Sequence, residues 1–253
     1  MHHYIIELGG VLGVYLSSMV AITSYKGDTS IGNFTWGGGV LIVTLYTFFR
    51  MSNFLAQQII ITGMIALWSM RLIMYVYTRY TGKDPRFVTW KWQGFKALII
   101  NTVWIFGQSI MIAIMSYPIV LINTYNIAHS FSFFDFLGII IWITGYCCEA
   151  MSDNQLFNFM HNPANKGHVM TYGLWHYSRH PNYFGESLMW VGIFCMALSA
   201  PYGWTAIITP ATITFLLVYV TGIPLLENAM AHNPEYQAYK QKTSKFIPWF
   251  AKK

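Results

Sequence analysis

The chain has 253 residues, of which 55% are apolar and 9% are charged. Because soluble domains usually carry about 25% charged residues, this composition excludes an ordinary soluble enzyme and a disordered chain. Three cysteines, two of them adjacent, exclude a disulfide framework. We therefore expect one polytopic membrane domain over residues 1–253. The net charge of +6 does not predict a nucleic-acid partner, because the basic residues follow the membrane topology described below.

Apolar segments recur along the whole chain and predict an all-α integral membrane protein with about seven transmembrane helices. A transmembrane helix needs about 20 predominantly apolar residues, and the second and sixth segments are short by that measure. The predicted spans are residues 4–22, 36–49, 54–77, 97–121, 134–151, 184–199 and 205–225.

The lysines and arginines predict the orientation of these spans. Thirteen of the fifteen fall on one side of the membrane if seven spans alternate. Arg50 lies on the other side, and Arg71 lies within the third span. Since cytoplasmic loops are enriched in lysine and arginine, the N-terminus is predicted to lie outside and the C-terminus in the cytoplasm.

The densest polar cluster comes just before the sixth span, at residues 173–186, Gly-Leu-Trp-His-Tyr-Ser-Arg-His-Pro-Asn-Tyr-Phe-Gly-Glu. Arg179 carries a planar fork of donors that suits phosphate or carboxylate. Pro181 favours a helix start because it has no N–H to leave unpaired. A helix N-terminus beside Arg179 and Asn182 is a ready anion site. The alternative is a polar interfacial turn anchored by tryptophan and tyrosine.

Three further polar clusters lie on the same predicted side of the membrane. Glu149 and Asp153 are four residues apart at the end of the fifth span, so they share a helix face. Carboxylates at the edge of a span are costly and usually face the bundle interior, although a snorkelling helix end is the alternative. The other two clusters are the basic turn with Arg79, Asp84 and Arg86 and the tail with Glu227, Asn228, Tyr239 and Lys240. Together they favour a polar cofactor above a lipophilic substrate.

These motifs resemble the C-terminal domain of steroid 5-alpha-reductases, most closely the bacterial relatives catalogued as membrane proteins of unknown function. The resemblance extends over residues 67–249. It rests on residues 173–186 and on residues 83–87, 153–155, 162–167, 224–227 and 243–248. The Arg-His-Pro-Asn-Tyr core is less specific, because it also resembles sterol reductases and isoprenylcysteine carboxyl methyltransferases.

The resemblance implies seven membrane helices, a bound NADPH and hydride delivery to the β-carbon of an enone in a steroid-like or other lipophilic substrate. Asn182 and Glu186 match family positions that hold the cofactor, and Tyr177 and Asp153 match nearby positions. The charge distribution predicts that the cofactor site faces the cytoplasm, and the resemblance to bacterial relatives implies the bacterial inner membrane. Membrane lipid is an expected partner, and no metal is expected. The predicted cofactor-binding residues are Arg79, Asp84, Arg86, Asp153, Gln155, Lys166, Tyr177, Arg179, His180, Asn182, Tyr183, Glu186, Glu227 and Tyr239.

The sequence departs from the family at the catalytic pair. The family has a tyrosine at the level of residues 68–71 and a glutamate on the second span, and neither is present here. Tyr75 lies one turn beyond Arg71, so we predict Tyr75 as the proton donor and Arg71 as the group that orients or polarises it. Gln57, Gln58 or Glu7 is the candidate partner. Alternatively, Arg71 pairs with Glu149 or Glu7 and only ties two helices together.

Three other functions compete with a reductase. An S-adenosylmethionine-dependent lipid methyltransferase would use the same Arg-His-Pro core, but Asn182 with Glu186 and Asp153 favours the reductase. A catalytically inactive protein that binds NADPH or lipid would explain the missing catalytic pair. A di-iron desaturase would use His176 and His180 as one histidine box. The other histidines are too scattered to complete it, and Pro181 breaks the helix that would align the pair.

Overall fold

A computed structural model describes residues 2–26, 33–51, 53–79, 94–125 and 131–251. Within these ranges 83% of the residues are helical and none lies in a strand, so the all-α prediction is confirmed. The α-helices are α1 (His2–Lys26), α2 (Asn33–Met51), α3 (Ala56–Arg79), α4 (Gly94–Tyr125), α5 (Phe133–His161), α6 (Pro181–Ala197), α7 (Ile208–Phe215), α8 (Ile223–Ala229) and α9 (Pro234–Lys242).

Among the described residues, five helical segments are long and apolar enough to cross a membrane, and the protein is therefore membrane-embedded. They are Ile6–Lys26, Ala56–Tyr77, Leu98–Tyr125, Phe133–His161 and Gly203–Ala229. The helices of the second and sixth predicted spans, α2 and α6, are not among them. With 17 residues, α6 is about 26 Å long, against a hydrocarbon core of roughly 30 Å. The count of seven and the orientation stay predictions.

The chain divides into two compact units, Met1–His129 and Ser130–Lys253. In the first unit α2 packs against α3 and α4, and α1 packs against α4. Its centre is apolar, since the side chains of Val40, Ile61, Ile65, Ile105 and Ile112 are fully buried. The hydrophobic faces of these helices thus meet inside the unit.

Buried polar side chains join the helix ends within the first unit. Gln58 Nε2 donates to the carbonyl of Asn123 at 3.0 Å, and Gln58 Oε1 accepts from the amide of Leu55 at 3.1 Å. Asn123 Nδ2 donates to Thr47 Oγ1 at 2.7 Å. Helix ends leave backbone groups without partners in the helix. Here Gln58 pairs the amide of Leu55 at the start of α3 and the carbonyl of Asn123 near the end of α4, where both are shielded from water. Gln58, considered above as a catalytic partner, therefore has a structural role.

In the second unit α5 and α6 are antiparallel and packed very closely. Gly138 and Gly145 of α5 face Gly192 and Gly185 of α6. A Cβ on Gly185 would lie 2.6 Å from the carbonyl oxygen of Gly145, and one on Gly192 would lie 2.6 Å from that of Gly138. Small residues allow membrane helices to approach to this distance. The seven-residue spacing repeats the contact after two turns, which fixes the register of the pair.

The last apolar segment is not one regular helix. α7 runs into a π-helical turn at Leu216–Val220, in which the amide of Thr221 donates to the carbonyl of Leu216 at 2.8 Å. Gly222 follows, and Pro224 lies in the first turn of α8. The break separates α7 from α8, and α8 carries Glu227 to the cluster described next.

Candidate functional site

The close crossing of α5 and α6 brings together two of the predicted cofactor residues. Asn182, at the start of α6, donates from Nδ2 to Asp153 Oδ1 on α5 at 3.3 Å. Asp153 is buried, and the Asn182 side-chain oxygen is also buried and has no hydrogen-bond partner. Buried amide oxygens are normally paired. This oxygen is therefore an acceptor that no described residue of the protein uses.

Two more carboxylates are buried at this crossing. Glu149 lies one turn before Asp153 on α5, and its backbone amide is beside Gly185 of α6. Glu186 is also buried, and its Oε1 accepts a hydrogen bond from Trp190 Nε1 at 2.7 Å. The hydroxyl of Ser187, which sequence analysis did not single out, is buried without a partner. The crossing therefore concentrates acceptors suited to hydroxyl and amide hydrogens.

Gln155 holds the loop that connects α5 and α6. Its side-chain oxygen accepts from the amide of Leu174 at 3.0 Å. Gly173 has φ +63°, where glycine is favoured, and a Cβ there would lie 2.6 Å from that oxygen and displace the Gln155 side chain. Trp175 Nε1 donates to the carbonyl of Ser152 at 3.0 Å. The loop is thereby closed onto the end of α5.

Arg179 lies in a buried cluster with the tail of the chain. Nε and Nη2 lie 2.9 and 2.8 Å from Glu227 Oε1. Nη1 donates to the carbonyls of Lys240 and Thr243 at 2.9 and 2.8 Å. Lys240 Nζ lies 3.1 Å from Glu227 Oε2. All three guanidinium nitrogens are therefore engaged within the protein. The sequence predicted a cofactor anion as the partner of Arg179, whereas its observed partners are long-range contacts that no local pattern signals.

His180 belongs to the same cluster, which we call the Glu227 cluster. Its Nε2 lies 3.4 Å from Glu227 Oε1, and its ring stacks on Tyr183 with centroids 5.7 Å apart. Burial lowers the pKa of His180 to about 4, although Glu227 acts to raise it. The imidazole is therefore neutral near pH 7. His176, its companion in the histidine-box alternative, is exposed.

Tyr239 is turned into the protein. Its hydroxyl donates to the carbonyl of Trp175 and lies 3.3 Å from that of Ser178. Burial raises the pKa of Tyr239 above its usual range. By contrast, Tyr177 is 41% exposed and Lys166 is exposed in the loop after α5. These two side chains are accessible to a molecule that approaches from solvent.

The remaining predicted residues lie in the first unit or outside the described ranges. Arg71 and Tyr75 are one turn apart on α3, and both are half-buried. Arg79 is the last residue of α3, while Asp84 and Arg86 lie outside the described residues. Glu7, a candidate partner of both Tyr75 and Arg71, accepts from the hydroxyl of Tyr46 at 2.7 Å and from Arg50 Nε at 3.1 Å.

Comparison with known proteins identifies the family. No curated protein and no solved structure matches the chain. A family model described as "Protein of unknown function (DUF1295)" matches residues 19–243, which is most of both units. This family is associated with steroid 5-alpha-reductase-like proteins, in agreement with the resemblance found in the sequence motifs. The match begins in α1, well before residue 67. The chain therefore belongs to the DUF1295 family.

Proposed function

We propose that the protein is an NADPH-dependent membrane reductase that acts on the activated carbon–carbon double bond of a lipophilic enone. The observation that carries the proposal is the buried, unpartnered oxygen of Asn182 beside Asp153. An orphaned acceptor of this kind is costly unless a ligand pairs with it. Family membership and the sequence motifs add support for a reductase.

The residues at the α5–α6 crossing fit the polar part of a nicotinamide dinucleotide. Asn182 offers both a donor and an acceptor for a carboxamide, while Asp153 and Glu186 are acceptors for ribose hydroxyls. The exposed ring of Tyr177 offers a stacking surface, and Lys166 offers a positive charge for phosphate. Arg179 is committed to Glu227, so its contribution is to hold the turn that carries Tyr177 and Asn182.

When bound, NADPH supplies the hydride that adds to the β-carbon of the enone. The electron pair of the double bond then moves toward the carbonyl oxygen, where negative charge develops. A donor aimed at that oxygen stabilises the transition state. We assign this role to the hydroxyl of Tyr75, oriented by Arg71. Titratable groups within a membrane segment are functional candidates, because their burial in lipid is costly.

Cofactor titration tests the proposal. NADPH fluorescence is followed in the detergent-purified protein and in Asn182→Ala and Glu186→Gln, which keeps an acceptor for Trp190. Each change should weaken NADPH binding by about 1–3 kcal/mol, roughly ten- to hundredfold. Asn154→Ala is the control, because Asn154 is an exposed neighbour of Asp153. Equal affinities in all variants would refute the site. Tighter binding of S-adenosylmethionine than of NADPH would favour the methyltransferase instead.

A hydroxyl deletion tests the catalytic assignment. Tyr75→Phe should leave NADPH affinity unchanged and lower turnover of an accepted enone by about two to four orders of magnitude, the usual range for a general acid. The measurement is NADPH consumption across a panel of lipophilic enones, with Tyr77→Phe, an exposed tyrosine on the same helix, as the control. Turnover within a few-fold of wild type would remove Tyr75 from the mechanism.

A further inference from the structure

The chain segment at 244–250, here called the tail segment, is firmly held by the turn before α6. The amide of Arg179 donates to the carbonyl of Ser244 at 2.9 Å, and Ser178 Oγ donates to the carbonyl of Phe246 at 2.7 Å. The amide of Trp249 donates to the carbonyl of Tyr177, also at 2.9 Å. These bonds fix the backbone of the tail segment along its length.

The fixed backbone nevertheless presents large apolar side chains to the outside. Ile247 is 61% exposed, Trp249 69% and Phe250 78%. Ring contacts link Phe250 to Trp249 and to Tyr177, with centroids 6.3 and 6.2 Å apart. Because the backbone bonds prevent these side chains from turning inward, the surface needs an apolar environment outside the unit.

Basic residues accompany this apolar surface. Lys242 ends α9 at an exposed position, and the sequence continues beyond the tail segment with Lys252 and Lys253. Lys245 Nζ lies 3.4 Å from the carbonyl of Val218 and 5.6 Å from the ring centroid of Tyr219. Val218 and Tyr219 belong to the segment Gly203–Ala229, which is apolar enough to span a membrane. The tail segment therefore lies against a membrane helix at its π-helical turn.

We propose that the tail segment docks into the acidic lipid–water interface of the membrane in which the protein is embedded. Tryptophan and tyrosine concentrate at this depth because one end of the ring is apolar and the other is polar. Trp249, Phe250 and Ile247 lie below the headgroups, and Lys242 and Lys245 lie among the phosphates. Each lysine near an anionic surface contributes about 1 kcal/mol, or about fivefold in binding. The inference does not require the reductase activity, although the tail segment contacts Tyr177, which the proposed function assigns to the cofactor.

Spin-label accessibility tests the depth of the tail segment. A nitroxide is attached at Phe250→Cys in a full-length chain whose native Cys147, Cys148 and Cys195 are replaced by alanine. The matched control is Ala238→Cys, at an exposed position of α9. In nanodiscs, the ratio of oxygen to nickel-chelate accessibility should be at least severalfold higher at position 250 than at 238. Equal ratios at the two positions would overturn the proposal.

Lipid composition tests the charge recognition. Phosphatidylglycerol added to phosphatidylcholine nanodiscs should raise the ratio at position 250, and Lys242→Gln with Lys245→Gln should remove most of that rise. Glutamine at 245 keeps a donor for the carbonyl of Val218. If phosphatidylglycerol does not change the accessibility ratio at position 250, acidic lipid is not the partner. A label already shielded from both reagents in detergent would show that protein, and not lipid, covers the surface.

Discussion

Two polar regions of the second unit are neighbours in sequence but differ in how completely they are satisfied. In the Glu227 cluster every nitrogen of Arg179 has an internal partner, and both carboxylate oxygens of Glu227 face basic groups. At the α5–α6 crossing, Asn182 makes one 3.3 Å bond and leaves a buried oxygen unpaired. Within the motif 179–182, Arg179 is thus held by internal partners, whereas His180 Nε2 and Asn182 Oδ1 are buried without a hydrogen bond.

The difference shows that a polar motif in a membrane protein has to be interpreted from the hydrogen bonds that each of its groups already makes within the protein. Four of the five N–H donors of Arg179 are used within the protein, so its guanidinium has little capacity left for a phosphate. A buried amide oxygen without a hydrogen bond costs desolvation free energy, and a ligand that donates a hydrogen bond to it removes that cost. Satisfaction of hydrogen bonds, and not residue type, separates the two roles.

The largest stability effect is expected from Glu227→Gln. The change removes the carboxylate between Arg179 and Lys240 and leaves a buried guanidinium without its counterion. Breaking one partner of a buried ion pair typically costs about 3–5 kcal/mol. Reversible unfolding in mixed dodecylmaltoside–SDS micelles measures the loss. Glu235→Gln is the control, since its pair with His168 is exposed and should change stability by less than about 1 kcal/mol. Equal losses in the two variants would contradict a structural role for the cluster.

A smaller effect is expected from pH, through His180. Burial lowers its folded-state pKa to about 4, whereas an unfolded histidine titrates near 6.5. Below pH 6.5 the unfolded chain therefore takes up a proton that the folded protein does not. Stability is complete above this pH and falls as the pH is lowered toward 4, by about 2 kcal/mol at pH 5.

The unfolding free energy of wild type and His180→Gln between pH 7 and pH 5 checks this expectation. The difference between the two curves isolates His180 from the other histidines. Wild type should lose more stability than the variant over this interval. Parallel curves would mean that His180 has the same pKa in the folded and the unfolded protein, and a smaller loss for wild type than for the variant would mean that Glu227 raises it.

The sequence predicted the all-α class correctly, because apolar segments of about 20 residues in a membrane protein form helices that pair every backbone group internally. The family resemblance placed Asp153 and Asn182 near one cofactor. In the structure the two are in contact because the glycines at 145 and 185 let their helices approach closely. The sequence could not predict the fate of Arg179. The partners of Arg179 are 48, 61 and 64 residues away along the chain. They lie on α8 and at the end of α9, and these helices follow the break at Gly222 that ends the apolar segment.

The smallest effect, and the sharpest test of the contrast, is expected from the stability of Asn182→Ala. The change removes one hydrogen bond to Asp153, worth about 0.5–1.5 kcal/mol, and alanine is a good helix former. Unfolding in the same mixed micelles should therefore show a small loss, close to that of Asn154→Ala. Saturating NADPH should then stabilise wild type by about 2.7 kcal/mol at a hundredfold excess over its Kd. The variant should gain less at the same NADPH concentration, because its Kd is higher. If Asn182→Ala instead loses as much stability as Glu227→Gln, then Asn182 stabilises the packing of α5 on α6. The contrast between a structural Glu227 cluster and a ligand-binding α5–α6 crossing would then be wrong.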